Sequence, residues 1–208
     1  MALAGILKSA VNTGSDSDLS YAFATPTTII SNCPVSSSDS INLRRTTSAY
    51  RAQRWEIETN IVPSDNDPGY LVSSVVAGYN KLVYIRMPQV FRGSERKSIP
   101  TITLSAASLA GTQIINFSGG TLQKGEFIQF GSNLDSNNRK VYIVTSVTTN
   151  SATIEPPLNS TKAIGLEVKY DKKVTLVARF DTSALLGITY TDGVLQDPGS
   201  VKFIEALK

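Results

Sequence analysis

The middle of the chain alternates short apolar runs with turn residues, a pattern that predicts consecutive β-strands. Between residues 121 and 158, aromatic and β-branched residues fill three runs, at 127–130, 141–147 and 152–154. The polar cluster 135–138 and the pair Asn150-Ser151 separate these runs, and Pro156-Pro157 follows the last one. Because each turn signal falls where the backbone must reverse, the segment predicts a small barrel or sheet.

Strands are also predicted on both sides of this meander. The longest, 49–63, alternates charged residues with Trp55 and Ile57, which we expect to face a core. Further strands are predicted at 82–87, 99–104, 112–117, 166–170, 174–180 and 201–207. Apolar residues near helical spacing predict one amphipathic helix over 70–81. The first forty residues are rich in Ser, Thr and Asn and predict irregular or edge structure that needs a partner to order.

The predicted strands divide into two units. Charged connectors at 92–97 and 171–173 bracket residues 98–172, which hold about five strands. We therefore expect an inserted β-barrel domain at 98–172, able to fold by itself. The other domain combines 1–97 with 173–208 and carries the N-terminal segment as an arm. The predicted fold class is mainly β, a sandwich or barrel domain with one α-helix plus a small inserted barrel.

Composition narrows the function classes. The chain has 208 residues, 41% of them hydrophobic, so it can bury a sizeable core. No apolar run approaches the ~18 residues of a membrane-spanning helix, and the first residues do not resemble a signal peptide. The single Cys33 is typical of a reducing cytosol, as a packed or incidental thiol. Histidine is absent, which removes the usual general base and zinc ligand, so we expect no enzyme.

Several small clusters could carry chemistry, and each has a more ordinary interpretation. The oxygen-rich segments 64–67 and 135–138 lack the spacing of a calcium loop and are typical of turns and caps. Glu56 and Glu58 share a strand face that we expect to be solvated or at an interface. Four arginines (Arg44, Arg45, Arg51 and Arg54) could touch phosphate, with Phe127, Phe130 and Tyr142 as stacking platforms, but core packing is the commoner role of such aromatics. Because the net charge is only +3, we expect no nucleic-acid partner. Because histidine is absent and no cluster has the spacing of a metal site, we expect no catalytic, cofactor or metal site.

Taken in order, these elements resemble the distal tail proteins of long-tailed bacteriophages, in the subgroup whose tail-tube-like domain carries an inserted OB-type barrel. The resemblance rests on the strand 49–63 with Trp55, the helix after it and the strand LVYIRMP at 82–88. It continues through LQKGEFIQFG at 122–131, KVYIVT at 140–145, IEPPL at 154–158 and VKFIEAL at 201–207. The Ser/Thr-rich start departs from the compact start of that family.

This resemblance implies a structural virion protein without cofactors, made in the bacterial cytoplasm. Its partners would be copies of itself in a sixfold ring, the tail-tube protein, the baseplate hub and other tail-tip proteins. Both contractile and flexible tails fit. The alternative is a separate binding module, in which the OB-like barrel recognises a carbohydrate or single-stranded nucleic acid. The two hypotheses differ in their expected mass, since the module is a monomer and the ring is not.

Overall fold

The chain forms two β-structures joined through a shared buried contact. The computed structural model describes residues 6–8, 19–23, 26–39, 45–49, 53–62, 82–87, 100–132, 135–181, 189–191, 194–197 and 200–207. The predicted helix at 70–81, the connector 92–97 and the segment 64–67 lie outside these residues. The mainly β class is confirmed, and within the described residues no helix is long and apolar enough to cross a membrane.

The first structure, the main sheet, has seven strands. They are β1 (Ile6–Lys8), β2 (Leu19–Phe23), β3 (Thr28–Asn32), β6 (Arg54–Val62), β7 (Val83–Arg86), β14 (Thr175–Phe180) and β17 (Ser200–Glu205). Their order is β17-β14-β7-β1-β2-β6-β3, and β17 also pairs with β6. The pairings therefore return to β17 and close a circuit, with β3 attached beside β2 along β6.

The second structure is a closed barrel of six antiparallel strands. They are β8 (Ile102–Leu104), β9 (Ile114–Ser118), β10 (Phe127–Phe130), β11 (Tyr142–Val147), β12 (Ser151–Glu155) and β13 (Glu167–Tyr170). Around the barrel they follow the order β10-β11-β12-β9-β8-β13, and β13 pairs back to β10. The barrel thus has one strand more than the about five predicted, and one more than the five-stranded OB type.

Two short hairpins complete the described strands. β4 (Val35–Asp39) pairs with β5 (Arg45–Ala49), and β15 (Thr189–Thr191) pairs with β16 (Val194–Asp197). In chain order β4 follows β3 and β5 precedes β6, but β4 and β5 form a separate two-stranded sheet.

The described parts of the first forty residues form strands rather than irregular structure. β1, β2 and β3 pair within the chain, and β3 lies at the edge of the main sheet, as expected of edge structure. An arm that is ordered by a partner stays a prediction. Hydroxyl side chains fit the ladder because they can pair across it, and Thr27 Oγ1 lies 3.1 Å from Thr59 Oγ1. Only β4 among these early strands pairs outside the main sheet.

Each structure has its own core. The barrel encloses fourteen buried residues, among them Phe117, Phe130 and Tyr170. The core of the main sheet includes Ile57, Ile85 and Phe203, and it also takes in barrel residues, with Val141 buried in it and Phe127 and Ile143 packed against it. The face of the barrel formed by β10 and β11 therefore rests on the main sheet.

Trp55 lies at this contact, as the alternation of β6 predicts for a buried position. Its side chain is 6% exposed, it meets Phe127 edge to face with ring centroids 5.3 Å apart, and its Nε1 donates to Val141 O at 2.7 Å. Trp55 therefore contributes to both structures rather than to the main sheet alone.

We expect Trp55→Ala to lower the free energy of unfolding by about 3–5 kcal/mol, because it removes a buried ring and leaves a cavity. Trp55→Phe is the matched control: it keeps most of the packing and loses the hydrogen bond, so we expect about 1–2 kcal/mol. Urea denaturation measures both. A water-exposed emission spectrum from this single tryptophan in the folded chain would contradict the placement.

Candidate functional site

Charged and polar groups converge where the barrel rests on the main sheet. Lys140 precedes β11, Glu205 ends β17 and Gln53 precedes β6, and they are 2%, 6% and 7% exposed. Lys140 Nζ donates to Gln53 O at 2.6 Å, to Gln53 Oε1 at 2.7 Å and to Glu205 Oε2 at 2.6 Å. The three protons of the ammonium group thus match three acceptors. We call these three residues the buried cluster.

The glutamate of the buried cluster also holds two backbone groups. Glu205 Oε1 accepts from Val141 N at 3.0 Å, and Oε2 accepts from Trp55 N at 3.0 Å. Burial raises the pKa of Glu205 and lowers that of Lys140, while their mutual attraction opposes both shifts. The carboxylate therefore connects β6, β17 and the start of β11 at one point, in a place with little water.

A second ionic cluster lies on the outer face of the main sheet. Glu56 Oε1 accepts from Asn32 Nδ2 at 2.7 Å and from Arg54 Nε at 2.9 Å, and its Oε2 lies 2.8 Å from Lys202 Nζ. The expectation that Glu56 is solvated is wrong, since it is 2% exposed. The reason is that Asn32 of β3 and Lys202 of β17, on the two strands beside β6, surround its carboxylate together with Arg54. Glu58, 3.7 Å from Lys202, remains 44% exposed.

One end of the barrel is filled by a third lysine. Lys162 is 2% exposed, and its Nζ donates to Asn137 O at 2.6 Å, Ser160 Oγ at 2.9 Å and Asn138 Oδ1 at 3.0 Å. Burial lowers its pKa to about 8. The neighbouring segment 135–138 is a capped turn, with Asp135 Oδ1 accepting from Asn137 N at 2.9 Å. This confirms the turn interpretation of that segment.

The aromatic residues considered as stacking platforms are turned inward. Phe130 and Tyr142 are fully buried in the barrel, 5.4 Å apart, and the hydroxyl of Tyr142 donates to Asn159 Oδ1. Phe127 packs against Trp55. Their assignment to the core is confirmed, so these rings do not provide a surface for bases or sugars. The large apolar side chains that the barrel exposes are Leu109, Ile114 and Ile164.

The structure describes only some of the other predicted candidates. Arg54 pairs with Glu56, Arg45 begins β5, and the side chains of Arg44, Arg45 and Arg51 lie outside the described part of the chain. Cys33 is exposed rather than packed. In the residues that the structure describes, no group of three or more His, Cys, Asp or Glu could hold a metal ion.

Sequence reasoning missed the buried cluster. A signal for Glu205 was present, because it lies in phase with Val201 and Phe203 on the buried face of β17. Gln53 is likewise in phase with Trp55 and Ile57. The sequence pattern gave no sign that Lys140 is buried. It precedes an apolar run, a position that a solvated residue can also occupy. Scans of the chain against protein-family models and against curated proteins find no match.

We expect Lys140→Met to lower the free energy of unfolding by about 3–5 kcal/mol, because it leaves the buried carboxyl of Glu205 without its Lys140 donor. The matched control is Lys173→Met, which breaks the ion pair with Glu167 at 3.2 Å, where the side chains are 37% and 39% exposed. That change should cost less than about 1 kcal/mol. Equal losses in denaturant titrations of the two variants would contradict the role given to the buried cluster.

The ionic cluster around Glu56 predicts that the folded chain loses stability in acid. Burial disfavours the charge on Glu56, but hydrogen bonds from Lys202, Asn32 and Arg54 outweigh it and lower its pKa to about 2. Because the folded pKa is below the ordinary value of 4.5, the stabilisation is complete above pH 4.5 and is lost as the pH falls towards 2.

We therefore expect denaturant titrations of the wild type to lose about 1–2 kcal/mol across this pH window through Glu56, because solvent screens its exposed partners Arg54 and Lys202. Glu56→Gln should show a shallower pH dependence. Glu58→Gln, on the same face but half exposed, should keep the slope of the wild type. A wild-type slope in Glu56→Gln would show that the cluster does not control acid stability.

Proposed function

We propose that this chain is a structural subunit of a bacteriophage tail tip or baseplate. Copies of it form a sixfold ring that joins the tail tube to the hub or to the tip that bears the fibres. Its activity is assembly rather than catalysis. The observation that carries this proposal is the architecture of a closed β-circuit with a second barrel inserted between neighbouring strands.

The place of the insertion supports the proposal. The barrel strands run from β8 to β13, between β7 and β14, and these two strands pair with each other in the main sheet. The chain can therefore leave the main sheet and return to it without breaking the circuit. A body with this topology can gain a second barrel while keeping the surfaces through which it contacts its neighbours.

We assign the contact with those neighbours to the hairpin of β4 and β5. A closed ring needs heterologous contacts, in which one surface of a subunit meets a different surface of the next. β4 and β5 pair with each other and, among the described strands, with no other strand. Their outer edges thus offer backbone groups to a neighbouring sheet. Residues 35–49 are also rich in Ser and Thr, which suits a polar interface.

The binding-module alternative has less support. It requires exposed aromatic rings on the barrel, whereas Phe130 and Tyr142 lie inside it. The buried charges of the described residues also have partners within the chain, as in the buried cluster. These groups serve packing and docking.

The test is the mass of the purified full-length chain by sedimentation, with negative-stain images of the particles. We expect a sixfold ring that binds the distal end of purified tail tubes. Replacing residues 36–48 with a short Gly-containing turn should yield monomers. The matched control shortens the hairpin of β15 and β16, which lies beside β6 of its own chain, and should keep the ring.

A monomeric wild type at all concentrations, without binding to tail tubes, would overturn the ring. A monomer that binds single-stranded DNA or oligosaccharides would favour the binding module instead.

A further inference from the structure

The buried cluster has the composition and geometry of a self-crosslinking site. A primary amine, a carboxamide and a carboxyl group meet within hydrogen-bond distance: Lys140 Nζ is 2.7 Å from Gln53 Oε1 and 2.6 Å from Glu205 Oε2. All three side chains are buried. The amine is a potential nucleophile, the carboxamide carbon an electrophile and the carboxyl a group that can move a proton.

We propose that Lys140 and Gln53 join through an intramolecular isopeptide bond, with Glu205 transferring the proton. The Nζ of Lys140 attacks Cδ of Gln53, and the C–N bond to Nε2 breaks. Glu205 Oε2, which is 2.6 Å from Nζ, takes a proton from the attacking nitrogen. Nε2, which faces the exposed Ser31, takes up a proton from water and departs as ammonia. An amine and a primary amide thus become a secondary amide and ammonia, so no oxidant, reductant or further reactant is needed.

The hydrogen bonds indicate that Gln53 is the electrophile and that Glu205 moves the proton. Glu205 is held by Val141 N and Trp55 N, so its carboxyl is fixed beside the amine. If Glu205 were itself the electrophile, no second carboxyl of the cluster would remain to move the proton. Gln53 Nε2 instead points to Ser31 Oγ at 3.1 Å, and Ser31 is exposed. The leaving ammonia therefore has a short path to water.

The surroundings favour the reactive protonation states. Burial lowers the pKa of Lys140 and raises that of Glu205, so transfer of a proton from the ammonium group to the carboxylate, which gives the neutral amine, costs less here than in water. A desolvated lysine is a better nucleophile than a solvated ammonium. Holding the groups in contact also replaces a bimolecular encounter with an intramolecular one.

Lys162 provides an internal comparison. Its Nζ also contacts a carboxamide oxygen, that of Asn138, at 3.0 Å. The nearby carboxylate of Asp135 is exposed and accepts from Asn138 Nδ2 at 3.2 Å, so it lies on the amide side rather than beside the amine. The site around Lys162 therefore has an amine and an amide but no buried carboxyl to move the proton, and we expect it to stay unreacted.

The product would bind the barrel covalently to the main sheet. Residues 53 and 140 are 87 positions apart in the chain, so the bond closes a long loop that includes β6, β7 and the first barrel strands. It would also fix the contact at Trp55 and Val141. This inference is independent of the proposed function, because it rests on the buried cluster alone.

The test is the intact mass of the wild-type chain under denaturing conditions, after allowance for removal of Met1. We expect a mass lower than that of the sequence by one ammonia. Trypsin should then give a branched peptide that joins residues 52–54 to residues 140–162, because acylated Lys140 resists cleavage. A chain of full mass after prolonged incubation at neutral pH would overturn the proposal, and this result needs no variant to fold.

Single-residue variants test which side chains form the isopeptide bond. Lys140→Arg and Glu205→Gln should each abolish the loss of ammonia, and Lys162→Arg should retain it. A loss of water with Lys140 bonded to Glu205, or a branch between Lys162 and Asn138, would refute the assigned chemistry.

Discussion

The carboxylate of Glu205 is the group on which the joint between the two β-structures depends. It accepts from Trp55 N in the main sheet and from Val141 N and Lys140 Nζ in the segment that leads into the barrel strand β11. Removal of this one acceptor would leave two backbone donors and a buried ammonium without their partner, in a place where water cannot replace it. A polar group of this kind contributes less to net stability than to the choice of one docking geometry.

The contact at Glu205 explains how two β-structures with separate cores are held together. The barrel core is complete in itself, with fourteen buried residues inside six strands. The core of the main sheet is completed only when Val141, Phe127 and Ile143 pack on it. The apolar surface supplies most of the favourable free energy, but such contact is not directional. The buried cluster fixes how the barrel is oriented on the main sheet, because its hydrogen bonds can form in only one orientation.

Much of the fold could be predicted because local alternation and tertiary burial agree. In β11 and β12, turn residues flank β-branched runs, and the strands form within one or two residues of the predicted bounds. The early strands β2 and β3 were not predicted because their Ser and Thr residues give little alternation between apolar and polar positions. The strand that pairs with them, β6, is also remote in sequence. The buried cluster escaped for a related reason. A lysine or glutamate is read as solvated until its partner is known, and Lys140 and Glu205 are 65 positions apart.

The distribution of polar groups also bears on how such a molecule can recognise others. The rings that usually stack on ligands are used inside, at Phe130 and Tyr142, and the strongest ion pairs are satisfied within the chain. Among the described residues, the groups available for contact include the backbone edges of β4 and β5 and the exposed apolar side chains Leu109, Ile114 and Ile164. Backbone edges bind other strands through repeated hydrogen bonds with little dependence on side-chain chemistry.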